Sequence, residues 1–547
     1  MGIPQLLAHL SRIEKPKQAV FPADSTRPAA VIDGSALAHF LFNRYIKKFS
    51  KEERVNSVLG FDYGNYMRSV VSWLEKLEEG FEIVNIFIDG HLPYYKTTTR
   101  TSRIQSTIKS LSWLRSVSPS VVDLTKGGWN PTPPFLIAAF ITAVKTHERF
   151  GKFSRVVPGE ADAFCAAVAV GVDGVVFTAD SDLLVYPHSK GSRVVMLEDV
   201  DFEGGVKVSL WSPYSISQKL GGGEGGILKL AWCLSIRDTL RAARILNGGK
   251  VGDVNISKEF GEEYLLPKNT SDGVEVIDSR AAEVIYSSPS YKHLCHPAVR
   301  NDGEIEIYLP VLLEDVTTST VWTIGRQIRK QAYKTLFPST KTLTEIHRKG
   351  EGVNKSLLTL DDEIPPRLEI EGLNANLLCV ILQIAREYSD KRMELSTTDV
   401  LSLLAAITPS PGGIIPVKTT DWTWPRAHLF SQLTAGVWSL HLLHTVSNLR
   451  SGGGEEVGLF TVDAERFIAI HSISLPGKSR NARKRARKRV KTDEGGVEGV
   501  INRMFEREVR GSVAEVLKLV GAMKAGEDDE EDGDDDAGDS YMGMTVG

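Results

Sequence analysis

Six carboxylates recur at or just past the tails of four apolar runs in the first third of the chain: Val31-Ile32-Asp33-Gly34, Phe87-Ile88-Asp89-Gly90, Glu160-Ala161-Asp162 and Thr178-Ala179-Asp180-Ser181-Asp182. An acid at the carboxyl end of a buried strand points into the crevice where open parallel sheets place their ligands. Hard oxygen donors gathered there are the ligand type for Mg²⁺ or Mn²⁺. Asp180 and Asp182 lie two apart in a segment read as extended, which turns both carboxylates to one face. Glu160 and Asp162 fall on the first turn of an expected helix, where both approach a shared ion. Each acid alone has a structural explanation as a turn residue or helix cap. Together they would repel and raise one another's pKa unless cations neutralised them, so the pattern points to metal-dependent hydrolysis.

The elements that must position these acids follow from hydrophobic period. Residues 5–13 have helical spacing, 29–33 read as a buried strand, and helices are expected over 35–48 and 64–79. A second strand covers 83–89, an apolar helix 135–147, a third strand 154–157, and a fourth strand 174–178 follows the Glu160 helix. This alternation is that of a mainly parallel α/β sheet. From Gly248 onward the pattern becomes predominantly helical with a few strands, such as 304–309, and helices are expected at 368–386, 396–407 and 426–448.

At 547 residues the chain exceeds what one hydrophobic core usually supports. The reading divides it into a domain at 1–247 with an insertion at about 91–133, a mainly helical region at 248–474, and a charged, disordered tail at 475–547 with one amphipathic candidate helix at 497–524. No apolar run has the length of a membrane span, and the first residues lack the features of a signal peptide, so an intracellular protein without a membrane partner is expected. The cysteines, Cys165, Cys233, Cys295 and Cys379, form no C-x-x-C pair, which argues for reduced thiols rather than a zinc site or disulfide framework. His293 and His296 flank Cys295 and read as loop or packing residues. Residues 478–491 carry nine Lys/Arg and residues 527–539 carry ten Asp/Glu. The basic block fits a nuclear localisation signal or a nucleic-acid-binding arm, and the expected location is nuclear, otherwise cytoplasmic.

The N-terminal region resembles the PIN-like nuclease domain of the XPG/flap-endonuclease superfamily. The likeness rests on Met1-Gly2-Ile3-x-x-Leu6, Ile32-Asp33, Phe87-Ile88-Asp89-Gly90, Pro158-Gly159-Glu160-Ala161-Asp162-Ala163 and Asp180-Ser181-Asp182. A later segment, Leu309-Pro310-Val311-Leu312-Leu313-Glu314-Asp315 with Trp322, Gly325-Arg326 and Arg329 to Tyr333, is most similar to the Asteroid group. The resemblance implies a three-layer PIN-like fold with a mainly parallel twisted sheet. It implies a structure-selective endonuclease on branched or single-stranded DNA, in repair, with DNA favoured over RNA. It further implies two divalent ions, Asp33, Asp89 and Asp162 around one, Asp180 and Asp182 around the other, and Glu160 near both. Gly2, Lys96, Arg100 and Arg103 would hold nucleic acid, and Tyr94, Tyr95 and Trp113 are candidates to stack on unpaired bases. The alternative reading is a catalytically decayed scaffold for nucleic acid or protein, in RNA regulation, with protein partners through the C-terminal region. Two departures from the superfamily pattern stand out, and the first favours that alternative. The Gly-x-Asp-Tyr turn of flap endonucleases is replaced by Leu234-Ser235-Ile236-Arg237-Asp238, leaving Asp238 as its counterpart, and a glycine-rich helix-hairpin-helix is not found.

Overall fold

Three runs of apolar residues, 29–33, 82–88 and 175–178, form the centre of a five-stranded sheet in the computed structural model. The structure describes residues 3, 5–22, 26–47, 61–93, 96–117, 132–221, 225–248, 254–270, 279–295, 305–360, 375–391, 393, 395–407, 423–451, 513–514 and 516–519. The strands are β1 (Lys17–Phe21), β2 (Ala29–Asp33), β3 (Glu82–Ile88), β4 (Ser154–Val156), β5 (Val175–Thr178), β6 (Arg193–Met196), β7 (Val206–Leu210), β8 (Glu306–Tyr308), β9 (Thr342–Lys349) and β10 (Gly352–Thr359). The main sheet has the order β4-β3-β2-β5-β6 and is parallel throughout, with Ile32 beside Ile86 and Phe177, and Thr178 beside Met196. Strands buried on both faces need no alternation, which is why they read as continuous apolar runs.

Val31, Phe87, Val176 and Val194 face the helix Ala161–Val172, while the alternate residues Ala30, Ile32, Ile88 and Phe177 face the opposite layer, where helices Gly34–Lys47, Tyr63–Glu78 and Leu136–Thr146 pack together. These are the expected three layers. From central β2 the chain moves to β3 on one side and later returns to β5 on the other, so the order reverses at the carboxyl end of β2. Open α/β sheets leave a crevice at such a point.

The glycines after Asp33 and Asp89 are dictated by packing at this edge. A Cβ on Gly34 would lie 2.8 Å from the Phe87 carbonyl oxygen, and one on Gly90 would overlap the Val157 carbonyl. The Asp-Gly pairs therefore mark strand ends where neighbouring backbones close over the carboxylate.

By tertiary contacts one compact unit comprises residues 1–364 with 422–461, and a second comprises 365–421 with 462–547. In the second, helices Ala375–Asp390 and Thr397–Ile407 pack together, and the latter opens with Ser396 and Asp399 exchanging side-chain and backbone hydrogen bonds of 2.9 and 3.2 Å.

The first unit includes a sheet of order β10-β9-β8, in which β9 and β10 form an antiparallel hairpin through Gly350 at φ +56°. The sequence reading does not find this hairpin. All of residues 343–348 in β9 are buried, charged ones included, so the strand lacks the polar-apolar alternation that would reveal it. Glu345 meets Arg329 at 2.7 Å and the Tyr333 hydroxyl at 2.9 Å, and Arg348 meets Glu314 at 2.6 Å. Trp322 donates its indole N–H to the Pro310 carbonyl at 2.7 Å. The motif residues between 309 and 333 thus form one buried clamp against β9 and the helix Trp424–Ser451. The ribbon β1/β7 is also absent from the sequence reading. The basic and acidic blocks and the candidate helix at 497–524 lie outside the described residues, apart from 513–514 and 516–519, which are helical.

Candidate active site

Asp33 ends β2 and is 4% exposed. Its Oδ1 accepts the Ala36 N–H at 2.9 Å and its Oδ2 accepts the Thr178 hydroxyl at 2.8 Å. Thr178 in turn accepts the Asp180 N–H at 2.9 Å, so one hydroxyl links the ends of adjacent strands β2 and β5. Asp89, one residue past β3, accepts the Ala161 N–H at 2.7 Å and thereby caps the helix Ala161–Val172. Glu160 occupies the N-cap position of that helix, but its carboxylate turns away to the Lys96 ammonium, 2.8 and 2.7 Å from its two oxygens. Asp162 follows on the first turn. Asp180 accepts the Asp182 N–H at 3.0 Å, and Asp182 accepts the Ile3 N–H at 2.7 Å, tying the N-terminal segment to the sheet.

These six acids line one cleft of about 770 Å³ together with Lys96, Arg100, Arg103, His39 and His91. Asp180 and Asp182 reach it differently from the expectation. The strand ends at Thr178, and residues Ser181–Leu184 form a turn of 3₁₀ helix, because the Asp180 carboxylate caps the backbone beyond it and stops the extended run. Gly2, Tyr94, Tyr95 and His296 lie outside the described residues.

Burial and mutual repulsion act together on the acids. Desolvation first, then the neighbouring Asp89 charge, raises Asp33 from 3.8 to about 7 despite its two hydrogen bonds. Asp162 is pushed well above the carboxylate range by desolvation and by Asp33, Asp180, Glu160 and Asp89. Asp182 rises to about 6 through desolvation and Asp180. Glu160 is also raised by burial, with Lys96 opposing the shift. His39, which lines the cleft, is pushed down by desolvation, although Asp89 opposes this.

The cations that the resemblance assigned to nucleic acid are placed unequally. Lys96 bridges Glu160 and Glu263, the latter at 3.4 Å. Arg100 forms a forked pair with Glu283 and stacks 4.6 Å from the Tyr308 ring centroid. Arg103 is exposed at the cleft, with no side-chain partner among the described residues. Trp113, on the same helix Thr97–Val117, is 45% exposed and does not line the cleft. Asp238 caps the helix Thr239–Leu246 through the Arg241 N–H at 3.0 Å and is not part of the cleft wall.

Sequence reasoning missed Thr178, Glu263, Glu283 and Arg280. A threonine at the end of a wholly apolar strand was a readable signal for the first, but the others come from beyond residue 247 and are brought to the cleft by tertiary folding alone.

Oxygen donors crowded at a raised pKa suit a hard divalent cation chemically. Among the described residues, however, no three Asp, Glu, His or Cys side chains are drawn together in an arrangement that could hold a metal ion. Asp33, Asp89, Asp180 and Asp182 instead turn onto backbone N–H groups and Thr178.

Residues 132–360 match the family model described as XPG domain containing. Over that span the chain is similar to an XPG-type domain. The matched span contains Glu160, Asp162, Asp180 and Asp182 and continues through the buried clamp to β10. Among solved structures, the chain is similar to the catalytic core of Rad2 in its complex I, at 17% identity over 43% of this chain and 59% of that one, with a TM-score of 0.26. It is similar also to the catalytic core of Rad2 in complex with DNA substrate. Complex III gives 14% identity over 53% and 72% of the two chains with a TM-score of 0.26, and complex II gives 17% over 55% and 87% with a TM-score of 0.27. Likenesses at this level add nothing to the geometry. No curated protein matches the sequence. No helix among the described residues is long and apolar enough to cross a membrane.

Proposed function

We propose that this XPG-type domain is a structure-selective, divalent-metal-dependent endonuclease acting on branched or single-stranded DNA, in repair and in the nucleus. The observation that carries the reading is the six-acid cleft at the carboxyl edge of the parallel sheet, where desolvation and neighbouring like charges raise Asp33 and Asp162. Asp33, Asp89 and Asp162 would hold one ion, Asp180 and Asp182 a second, with Glu160 near both. Bound divalent ions supply activation of a water for in-line attack on phosphorus and stabilisation of the leaving oxygen.

The protein's own part is positioning. The Ala36 N–H and Thr178 hydroxyl fix the Asp33 carboxylate, and the Ala161 N–H fixes Asp89. Arg103 at the cleft wall would meet a backbone phosphate, and Lys96 keeps Glu160 compensated before the ions arrive. Hydrolysis of this type needs no side-chain nucleophile and leaves a 5′-phosphate and a 3′-hydroxyl.

A specific observation favours the rival reading, a nucleic-acid or protein scaffold: the acids are turned to protein donors, and Asp238 stands outside the cleft. The closer kinship to the Asteroid group, on the motif at 309–333, belongs with this proposal, as do protein partners of the C-terminal region. Thermal denaturation across a Mg²⁺ and Mn²⁺ titration separates the readings. An ion-binding cleft raises Tm through native-state binding, and Asp180→Ala removes the gain. An unmutated protein indifferent to both ions would remove the basis for the enzyme.

A further inference from the structure

We propose that a second cavity, of about 500 Å³, adjoining the acidic cleft receives an unpaired nucleobase of the substrate strand. The inference rests on the nucleic-acid reading of the cleft and names what that strand presents to it. The volume is in the range of roughly 300–1,000 Å³ usual for small-molecule pockets. Its walls are largely apolar and include Pro133, Pro134, Ile137, Tyr308 and Phe430, contributed by elements of one compact unit.

The cavity and the cleft share a wall. Arg100, Arg103, Ile137, Ser279 and Arg280 line both. Three guanidinium groups therefore stand at the boundary between an apolar chamber and a chamber of carboxylates. Arg280 is held there by the Pro134 carbonyl, and Arg100 by Glu283 and the Tyr308 ring. Arg103 is exposed, and its guanidinium has no partner among the described residues. A ligand that suits both chambers carries a flat apolar group joined to an anion, with the anion at the arginines and the next linkage toward the acids. A nucleotide within a single strand has that composition.

Three of the hydroxyls lining the cavity are already engaged. Thr107 donates to the Arg103 carbonyl at 3.0 Å, Ser431 to the Leu313 carbonyl at 2.6 Å, and Thr434 to the Phe430 carbonyl at 2.9 Å. The chamber thus offers contact and stacking surface with little left to read a base edge. It requires a base without selecting which one.

The test uses full-length protein in EDTA and fluorescent single strands of about 15 nucleotides, with one abasic nucleotide walked along the strand and binding read by anisotropy. One position is expected at which loss of the base weakens binding about tenfold, while the four bases there agree within about threefold. Ile104→Trp, which fills the cavity from a half-buried residue that does not line the cleft, is expected to bring the intact strand to the abasic level and to leave any Mn²⁺-induced gain in Tm unchanged. Thr107→Trp serves the same purpose should Ile104→Trp fail to fold, and the abasic series needs no variant. Equal binding of every abasic strand, or no binding of single strands, overturns the inference, as does a base effect that survives both fillings. Binding in EDTA does not depend on the ions. A base effect without a Mn²⁺ gain in Tm would sink the metal reading alone, and the reverse would sink the pocket alone.

Discussion

Two groups of buried or half-buried charges lie in the same compact unit and are handled in opposite ways. In the clamp around β9, Arg329 makes a forked pair with Glu345, which also accepts the Tyr333 hydroxyl, and Arg348 pairs with Glu314. In the cleft, Asp33, Asp162, Asp180 and Asp182 lie together with no ion-paired side chain of opposite sign among the described residues, whereas Glu160 has Lys96. The pKa directions follow. Glu345 is held below its ordinary value, because Arg329 and its hydrogen bonds outweigh desolvation. Asp33 and Asp162 are driven up, because desolvation and like charge act together. Glu314 is intermediate: Arg348 does not overcome its desolvation, and its Oε1 has no hydrogen-bond partner among the described residues. Charge balanced within the fold is structural, whereas charge left unbalanced in a cleft calls for a ligand from outside.

The largest effect is expected where that balance is broken. Arg329→Ala should cost about 3–5 kcal/mol in denaturant unfolding, since it leaves Glu345 buried and unpaired. Replacing both partners by Met should recover most of the loss, because desolvation of two charges is relieved with them. A single variant costing no more than a surface pair would remove the contrast between the regions.

In the cleft the sign reverses. Asp33→Asn should stabilise the protein in EDTA at pH 8 by on the order of 1 kcal/mol, and should abolish the gain in Tm from divalent ions. The same contrast appears in pH. Asp33 and Asp182, with folded values of about 7 and 6 against 3.8, hold protons that the unfolded chain has released. Stability in EDTA therefore falls as pH rises from about 4 to 7, and divalent ions should offset the fall. Glu345 works the other way, its contribution being complete above 4.5 and lost as pH drops through its depressed folded value. Thermal unfolding across pH for the unmutated protein, Asp33→Asn and Glu345→Gln would separate the two slopes, and parallel curves for all three would contradict the comparison.

The smallest effect concerns Lys96, whose contacts are partly exposed. Lys96→Met should change stability by less than about 1 kcal/mol. It should also lower the Mn²⁺ concentration at the midpoint of the thermal gain, since Glu160 and Glu263 lose their counter-charge. A midpoint moved upward would assign Lys96 a supporting role toward the ions.

Legibility in the sequence followed the same division. The strand-end acids were readable because Asp33 and Asp89 each sit between a continuous apolar run and a glycine that the backbone approach demands. The parallel sheet and its flanking helices were readable from period. The hairpin β9–β10 was hidden, because the buried residues of β9 include Glu345, His347 and Arg348, whose polarity signals solvent until Arg329 and Glu314 arrive from elsewhere in the chain. Pairing of Lys96 and Arg100 with Glu263 and Glu283 was likewise invisible, since spacing along a helix says nothing about acids more than 150 residues away.

The most direct measurement is cleavage of end-labelled flap, fork, single-stranded and duplex DNA, with matched RNA, by the unmutated protein and by Asp180→Ala/Asp182→Ala in Mn²⁺ and Mg²⁺. The cleft as described here predicts cutting at a branch or in a single strand by the unmutated protein, and its loss in the double variant. Equal inactivity of both proteins with nucleic-acid binding intact, or equal cleavage by both, would contradict it.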